Sequence, residues 1–98
     1  MGRSSRAKPR RLAEKLLQIR VALSLSQDEV VKRLGLTEEI DRNHISKFER
    51  GIREPSLLVL LQYAGAAGVC VDVLIDDNQD LPRNLPSTPR HRRSSKRV

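Results

Sequence analysis

A bundle of five short α-helices with a basic, unstructured segment at each end is the fold that this 98-residue sequence predicts. Three observations predict it. Apolar residues recur three and four positions apart through most of the middle of the chain, the spacing of one buried helix face. Gly35, Gly51 and Gly68 each follow such a stretch, where a left-handed C-terminal cap is wanted. Side chains able to accept from free N–H groups stand before the second and third stretches.

The first helix is expected over Arg10 to Leu23, starting near Pro9, with Leu12, Leu16, Ile19 and Leu23 as its buried stripe. The second carries a full start signal: Ser26 as N-cap with Glu29 three residues on, and Leu25 with Val30 as a hydrophobic staple. It should run from Gln27 to about Leu34. The third has Asp41 as N-cap and Ile40 with Ile45 at the staple positions, and it should run from Arg42 to Arg50 with Ile45 and Phe48 turned inward. The fourth follows Pro55-Ser56 and is expected to bury Leu57, Leu60, Leu61 and Ala64, with Gly65 a local weakness of about 1 kcal/mol relative to Ala. Val69 to Ile75 has a strand-like composition, but a lone strand would have no partner, so a short fifth helix is expected there.

Charge divides the chain into three. Residues 1–11 hold five basic side chains and residues 82–98 hold six, neither with an acid, while residues 12–81 have eight basic against twelve acidic and are net −4. The whole chain is +7, so all the positive excess lies at the ends. Both ends are rich in Arg and Ser and poor in apolar residues, and are expected to be disordered arms around a folded domain at 12–81.

Composition excludes several functions. With Phe48 and Tyr63 as its aromatic residues the chain has no platform for stacking splayed bases, which leaves duplex rather than single-stranded nucleic acid as a partner. Cys70 is the sole cysteine, so no disulfide framework or thiol zinc cage is expected, and a reducing compartment is the default. It is expected to be a small, partly buried residue. The longest apolar run, Leu57 to Leu61, is far short of the roughly 20 residues that span a bilayer. The start Met1-Gly2-Arg3-Ser4-Ser5-Arg6 has Arg where a myristoylation signal wants Ser or Thr, and no apolar signal core follows. No membrane partner is expected, and the location expected is cytoplasmic, on the nucleoid.

Two short helices in tandem, each capped at its start and closed by Gly, with a small helix behind them, make the arrangement that presents one helix to the DNA major groove. From Leu12 to about Asp77 the chain also resembles the lambda-type Cro/C1, or XRE, helix-turn-helix family. The likeness rests on Ile19-Arg20, Leu25-Ser26-Gln27-Asp28-Glu29, Leu34-Gly35, Ile45-Ser46-Lys47-Phe48-Glu49-Arg50-Gly51, Arg53-Glu54-Pro55-Ser56 and Ala67-Gly68-Val69. It implies a five-helix lambda-repressor-like domain, and a transcription regulator acting as a repressor on a palindromic operator.

The resemblance also implies residue roles. Gln27 matches a position that touches a phosphate and braces the start of the recognition helix. Arg42, Asn43, His44, Ser46 and Lys47 match positions that face the groove, where Arg and Lys suit guanine and Asn suits adenine. Arg50 and Arg53 match positions facing the phosphate backbone, which set register. Arg20 and Glu49 match an internal ion pair. The chain departs from the pattern in a turn between helices 2 and 3 about four residues longer than usual, in Ser24 where Gly is common, in Cys70 where a Ser cap is common, and in the negative charge of its core.

A domain reading a few base pairs with one helix needs two copies, so a homodimer on double-stranded DNA is expected, with Val71, Val73, Leu74 and Ile75 as its contact. The alternative is a protein partner: the same fold as a toxin–antitoxin antitoxin or as an adaptor. An enzyme is not expected, because no nucleophile elbow, phosphate-cradling loop or His/carboxylate motif occurs. No cofactor is implied, and His44, His91 and Cys70 have no metal-ligand spacing. Asp72, Asp76, Asp77 and Asp80 read as a solvated helix end.

Overall fold

The computed structural model describes residues 8–85. It is all-helical, with α1 (Leu12–Ala22), α2 (Gln27–Leu34), α3 (Arg42–Glu49), α4 (Leu57–Ala67) and α5 (Val71–Ile75), and it has no strand among the described residues. The outer reaches of both arms, 1–7 and 86–98, lie outside the described residues.

Local chemistry sets most of the helix ends. Ser26 Oγ accepts from the Glu29 N–H at 3.1 Å while the Glu29 carboxylate accepts from the Ser26 N–H at 2.7 Å, closing the capping box at α2. Gly35, Gly51 and Gly68 have φ of 72°, 73° and 72°, so the three punctuating glycines take the left-handed conformation. Ser24, after α1, is forced into the same region at 59° without the freedom of a glycine. Cys70 stands at the N-cap of α5 and makes no side-chain cap, and it is exposed rather than partly buried. A capping position points outward, which is why burial was the wrong expectation.

The core is a single cluster in which α1 packs on α3, α4 and α5 and α2 packs on α3 and α4. Leu12, Leu16, Ile19 and Leu23 form the buried stripe of α1, and they meet Val30, Val31 and Leu34 of α2, Ile45 and Phe48 of α3, and Leu74 of α5. Helix α4 differs from the sequence reading. Leu60 and Ala64 are buried, joined by Val59, Tyr63 and Ala67, but Leu57 and Leu61 are exposed. Apolar residues surround this helix, so its spacing carries no phase. Packing resolves it by burying Tyr63 and Ala67.

Two other expectations change. The first helix starts at Leu12, two residues later than expected, and Arg10 and Arg11 donate their backbone N–H groups to Asp77 instead. The acidic end is solvated at Asp72 and Asp80, as expected, and is also a docking point for the segment before α1: Asp80 takes the Arg11 guanidinium at 2.6 Å. Of the four residues expected to pair two copies, Leu74 is fully buried and Val71 and Val73 are half-buried, which leaves only Ile75 exposed. The long turn after α2 winds into one extra coil: the Glu39 and Ile40 N–H groups both donate to the Leu36 carbonyl. Leu36 and Ile40 pack on the core and Thr37, Glu38 and Glu39 face out.

Candidate nucleic-acid interface

Helix α3 is built around its first turn. The Asp41 carboxylate accepts from the N–H groups of Asn43 at 2.9 Å and His44 at 3.3 Å, and His44 Nδ1 lies 3.1 Å from the Asp41 N–H, so His44 completes a second capping box. The backbone N–H of His44, with that of Asn43, holds the Asp41 carboxyl below its ordinary value. At about 100° per residue, Arg42, Asn43, Ser46, Lys47 and Arg50 fall on the side opposite the buried Ile45 and Phe48. His44 and Glu49 flank that stripe. The outer stripe thus carries three cations and no carboxylate.

These side chains point to solvent. Asn43, Lys47 and Arg50 are exposed and Ser46 is half-buried. Arg42 is also exposed, 3.8 Å from Asp28 at the start of α2, a spacing worth little in water. Arg53, two residues past the Gly51 turn, is exposed. It lines a cleft of about 150 Å³ together with Lys8, Arg10 and Ile52, so the segment before α1 lies near the loop that follows α3. Nothing in the local sequence could have placed Lys8 and Arg10 beside Arg53, because the contact spans the chain.

A second layer fixes the far end of α3. Arg20 holds Glu49 in a bidentate pair, Nε to Oε2 at 2.7 Å and the second nitrogen to Oε1 at 3.1 Å, and it also donates to the Leu25 carbonyl at 3.1 Å. The Glu49 side chain is 6% exposed and that of Arg20 21%. The Glu49 hydrogen bond raises the Arg20 pKa, against the opposing effect of burial. Gln27 donates to Glu49 Oε1 at 3.2 Å, so it braces the last residue of α3 and not its start, as the sequence reading had it. Helix α2 reaches this carboxylate because Gln27 is its first residue. Tyr63 backs the pair, and burial, with the Glu49 charge, holds its phenol well above its ordinary value.

Lys15 escaped sequence reasoning altogether. It is fully buried, and its ammonium donates to the carbonyls of Val73 at 2.7 Å and Asp76 at 2.9 Å, closing the end of α5. Among the described residues no group of three or more His, Cys, Asp or Glu could hold a metal ion, and no helix is long and apolar enough to cross a membrane.

The fold and the exposed third helix define a helix-turn-helix protein. Residues 16–74 match the family HTH_3, described as helix-turn-helix, which is more than half of the chain. The chain belongs to this Cro/C1-type family of DNA-binding regulators. It is similar to the crystal structure of a hypothetical transcription factor, NHTF, from Neisseria, with 27% identity and a TM-score of 0.56 over 72% of this chain and 84% of that one. No curated protein matches it in sequence.

Proposed function

We propose that the chain is a sequence-specific transcription regulator that binds duplex DNA as a homodimer and acts as a repressor, in the cytoplasm on the nucleoid. The observation that carries this reading is the outer stripe of α3: cations and an amide, exposed, with no carboxylate among them, on a helix whose inner face and both ends are held by the rest of the domain. Arg42, Asn43 and Lys47 read base edges, Ser46 allows close approach, and Gln27, Arg50 and Arg53 hold phosphates. His44, spent on the first-turn cap, sets the helix start and leaves readout to its neighbours. The similarity to a hypothetical transcription factor supports the regulatory role.

Selection of bound duplexes from a random pool, followed by alanine substitution, tests this. Arg42→Ala, Asn43→Ala and Lys47→Ala are each expected to cost about 1–3 kcal/mol on the selected site and much less on random duplex. Equal losses on both would move these residues to phosphate contact. A protein that shifts no duplex even at low salt would instead be an adaptor or an antitoxin working through protein contacts alone.

A further inference from the structure

The outer face of α4 is apolar and unoccupied. Leu57, Leu58 and Leu61 are 81%, 69% and 52% exposed, although covering each would remove apolar surface from water. With about 100° per residue, Leu57, Leu58, Leu61, Gln62 and Gly65 share this side, opposite the buried Leu60, Tyr63 and Ala67. Gly65 adds a second oddity. A glycine inside a helix is destabilising relative to Ala, yet no atom lies within 4 Å of where its Cβ would stand. Nothing in the described protomer calls for a glycine there.

We propose that α4 packs through this face against α4 of a second copy of the chain, about a two-fold axis. This rests on the DNA-reading function for its purpose and deepens it by naming the dimer surface. Three observations select a second copy as the occupant. First, α4 has no charged residue, in a sequence that is 32% charged. At a two-fold axis every side chain near the axis meets its own duplicate, so a like charge would repel itself; a partner of another kind would impose no such neutrality. Second, the chain's own ends are poor candidates. Residues 1–7 and 86–98 offer only Met1 and Val98 as large apolar side chains, among many cations. Third, α4 follows the recognition helix after the short loop 50–56, so pairing there links two DNA-reading faces directly.

The contact is small. An eleven-residue helix is about 16 Å long, and one face of it falls short of the roughly 800 Å² per partner of a standard interface. Pairing is therefore weak in free solution and is completed on DNA, where adjacent half-sites hold two copies at high effective concentration.

Leu61→Glu and Leu61→Lys test the proposal, since this exposed side chain lies on the α4 face away from the cleft that Leu58 shares with Arg53 and can be charged without disturbing the fold, which the melting temperature checks. Sedimentation equilibrium of the full chain should show concentration-dependent dimers. Each variant should weaken dimerisation by at least about tenfold, and an equimolar mixture of the two should restore it, because Glu of one copy then faces Lys of the other. On a duplex with paired half-sites the single variants should lose cooperativity while keeping wild-type affinity for one half-site. Failure of the DNA reading would remove half-site binding from every protein and leave the sedimentation result intact. A wild-type chain that stays monomeric and binds paired half-sites without cooperativity overturns the proposal, as do variants that dimerise like wild type or a mixture that stays monomeric.

Discussion

Helices α1 and α3 carry similar charges and send them in opposite directions. In and before α1, Arg11 is bound by Asp80, Lys15 by the carbonyls ending α5, and Arg20 by Glu49, so each cation is consumed by the protein's own acceptors. On α3, Lys47 stands in solvent, Arg50 is exposed with one long bond of 3.4 Å from Nε to the Ser46 carbonyl, and Arg42 has only a distant, exposed Asp28. The first helix spends its charge on structure and the third leaves it exposed, as the proposed DNA reading requires. Charge count cannot separate the two roles, since what decides is whether an acceptor from a remote part of the chain is folded against the cation. Substitutions in α1 should accordingly lower the melting temperature and leave sequence preference intact, and those on the outer stripe of α3 should do the reverse.

The largest effect is expected at the link between the two helices. Arg20→Met keeps most of the side-chain volume but strands the Glu49 carboxylate, which is nearly enclosed and backed by Tyr63. Breaking such a pair costs about 3–5 kcal/mol. For a domain of this size each kcal/mol lowers the melting temperature by about 4–8 °C, so the loss should exceed about 12 °C. Because the guanidinium is one-fifth exposed, the lower end of the range is the better guide. Calorimetry checks it; a drop of only a degree or two would mean that water replaces the guanidinium at no cost.

Lys15→Met comes next. The thioether keeps the packing of the aliphatic stem while leaving the Val73 and Asp76 carbonyls without their donor, at a cost of about 1–3 kcal/mol. DNA affinity of the folded protein should not change. An equal loss of affinity and stability would show that α5 and the DNA face are coupled, and that the division between spent and offered charge is too sharp.

How far the sequence could be read follows the same division. The starts of α2 and α3 and their stops at Gly35 and Gly51 were legible because capping residues lie within four positions of the groups they satisfy, and the stripe of α1 because its polar residues mark the other face. Helix α4 was misread in part, since apolar residues on every side erase its phase. Asp77 and Lys15 were opaque for a different reason: their partners lie 58 to 67 residues away, and no local pattern reports such a contact. The outer stripe of α3 was legible as exposed and basic, yet the bond from Gln27 to the far end of that helix depends on how α2 and α3 cross.

A smaller gain is expected at the end of α1. Ser24 holds a left-handed backbone at φ 59°, which costs an L-residue about 1–2 kcal/mol that glycine avoids. Part of this returns as the greater entropy of glycine in the unfolded chain, so Ser24→Gly should stabilise the domain by about 0.5–1 kcal/mol. The melting temperature should rise by a few degrees with DNA binding unchanged. A fall would mean that the Ser24 hydroxyl stabilises the turn by more than its backbone strain costs.

The smallest effect concerns pH and the base of the arm. The backbone N–H groups of Arg10 and Arg11 hold the Asp77 carboxyl below its ordinary value, with Lys15 and Arg10 adding their charge. A carboxyl whose pKa is lower folded than unfolded contributes stability that is full above the unfolded value, near 4, and is lost as pH falls through the folded one. Between pH 7 and 5 the latch should therefore not change, and it should open only as pH falls through the lowered, folded value. Asp76, Asp41 and Glu29 have pKa values lowered for similar reasons and lose their contributions over the same range, so acid unfolding of the parent reports all four together. Asp77→Asn isolates one: the amide still accepts through its oxygen but titrates no proton, so the variant should be slightly less stable at pH 7 and lose less on acidification. Amide exchange at Arg10 and Arg11 reads the latch directly in Asp77→Ala, which removes the acceptor, and exchange at pH 7 equal to that of the parent would show that these bonds do not hold the segment. Deleting 1–7 and 86–98 removes seven cations and no acid, and it spares Arg10, Arg11 and the partly buried Leu85 with their described contacts. At about −0.9 per phosphate neutralised, that deletion should flatten the dependence of log K on log salt while the order of preferred sequences stays as it was.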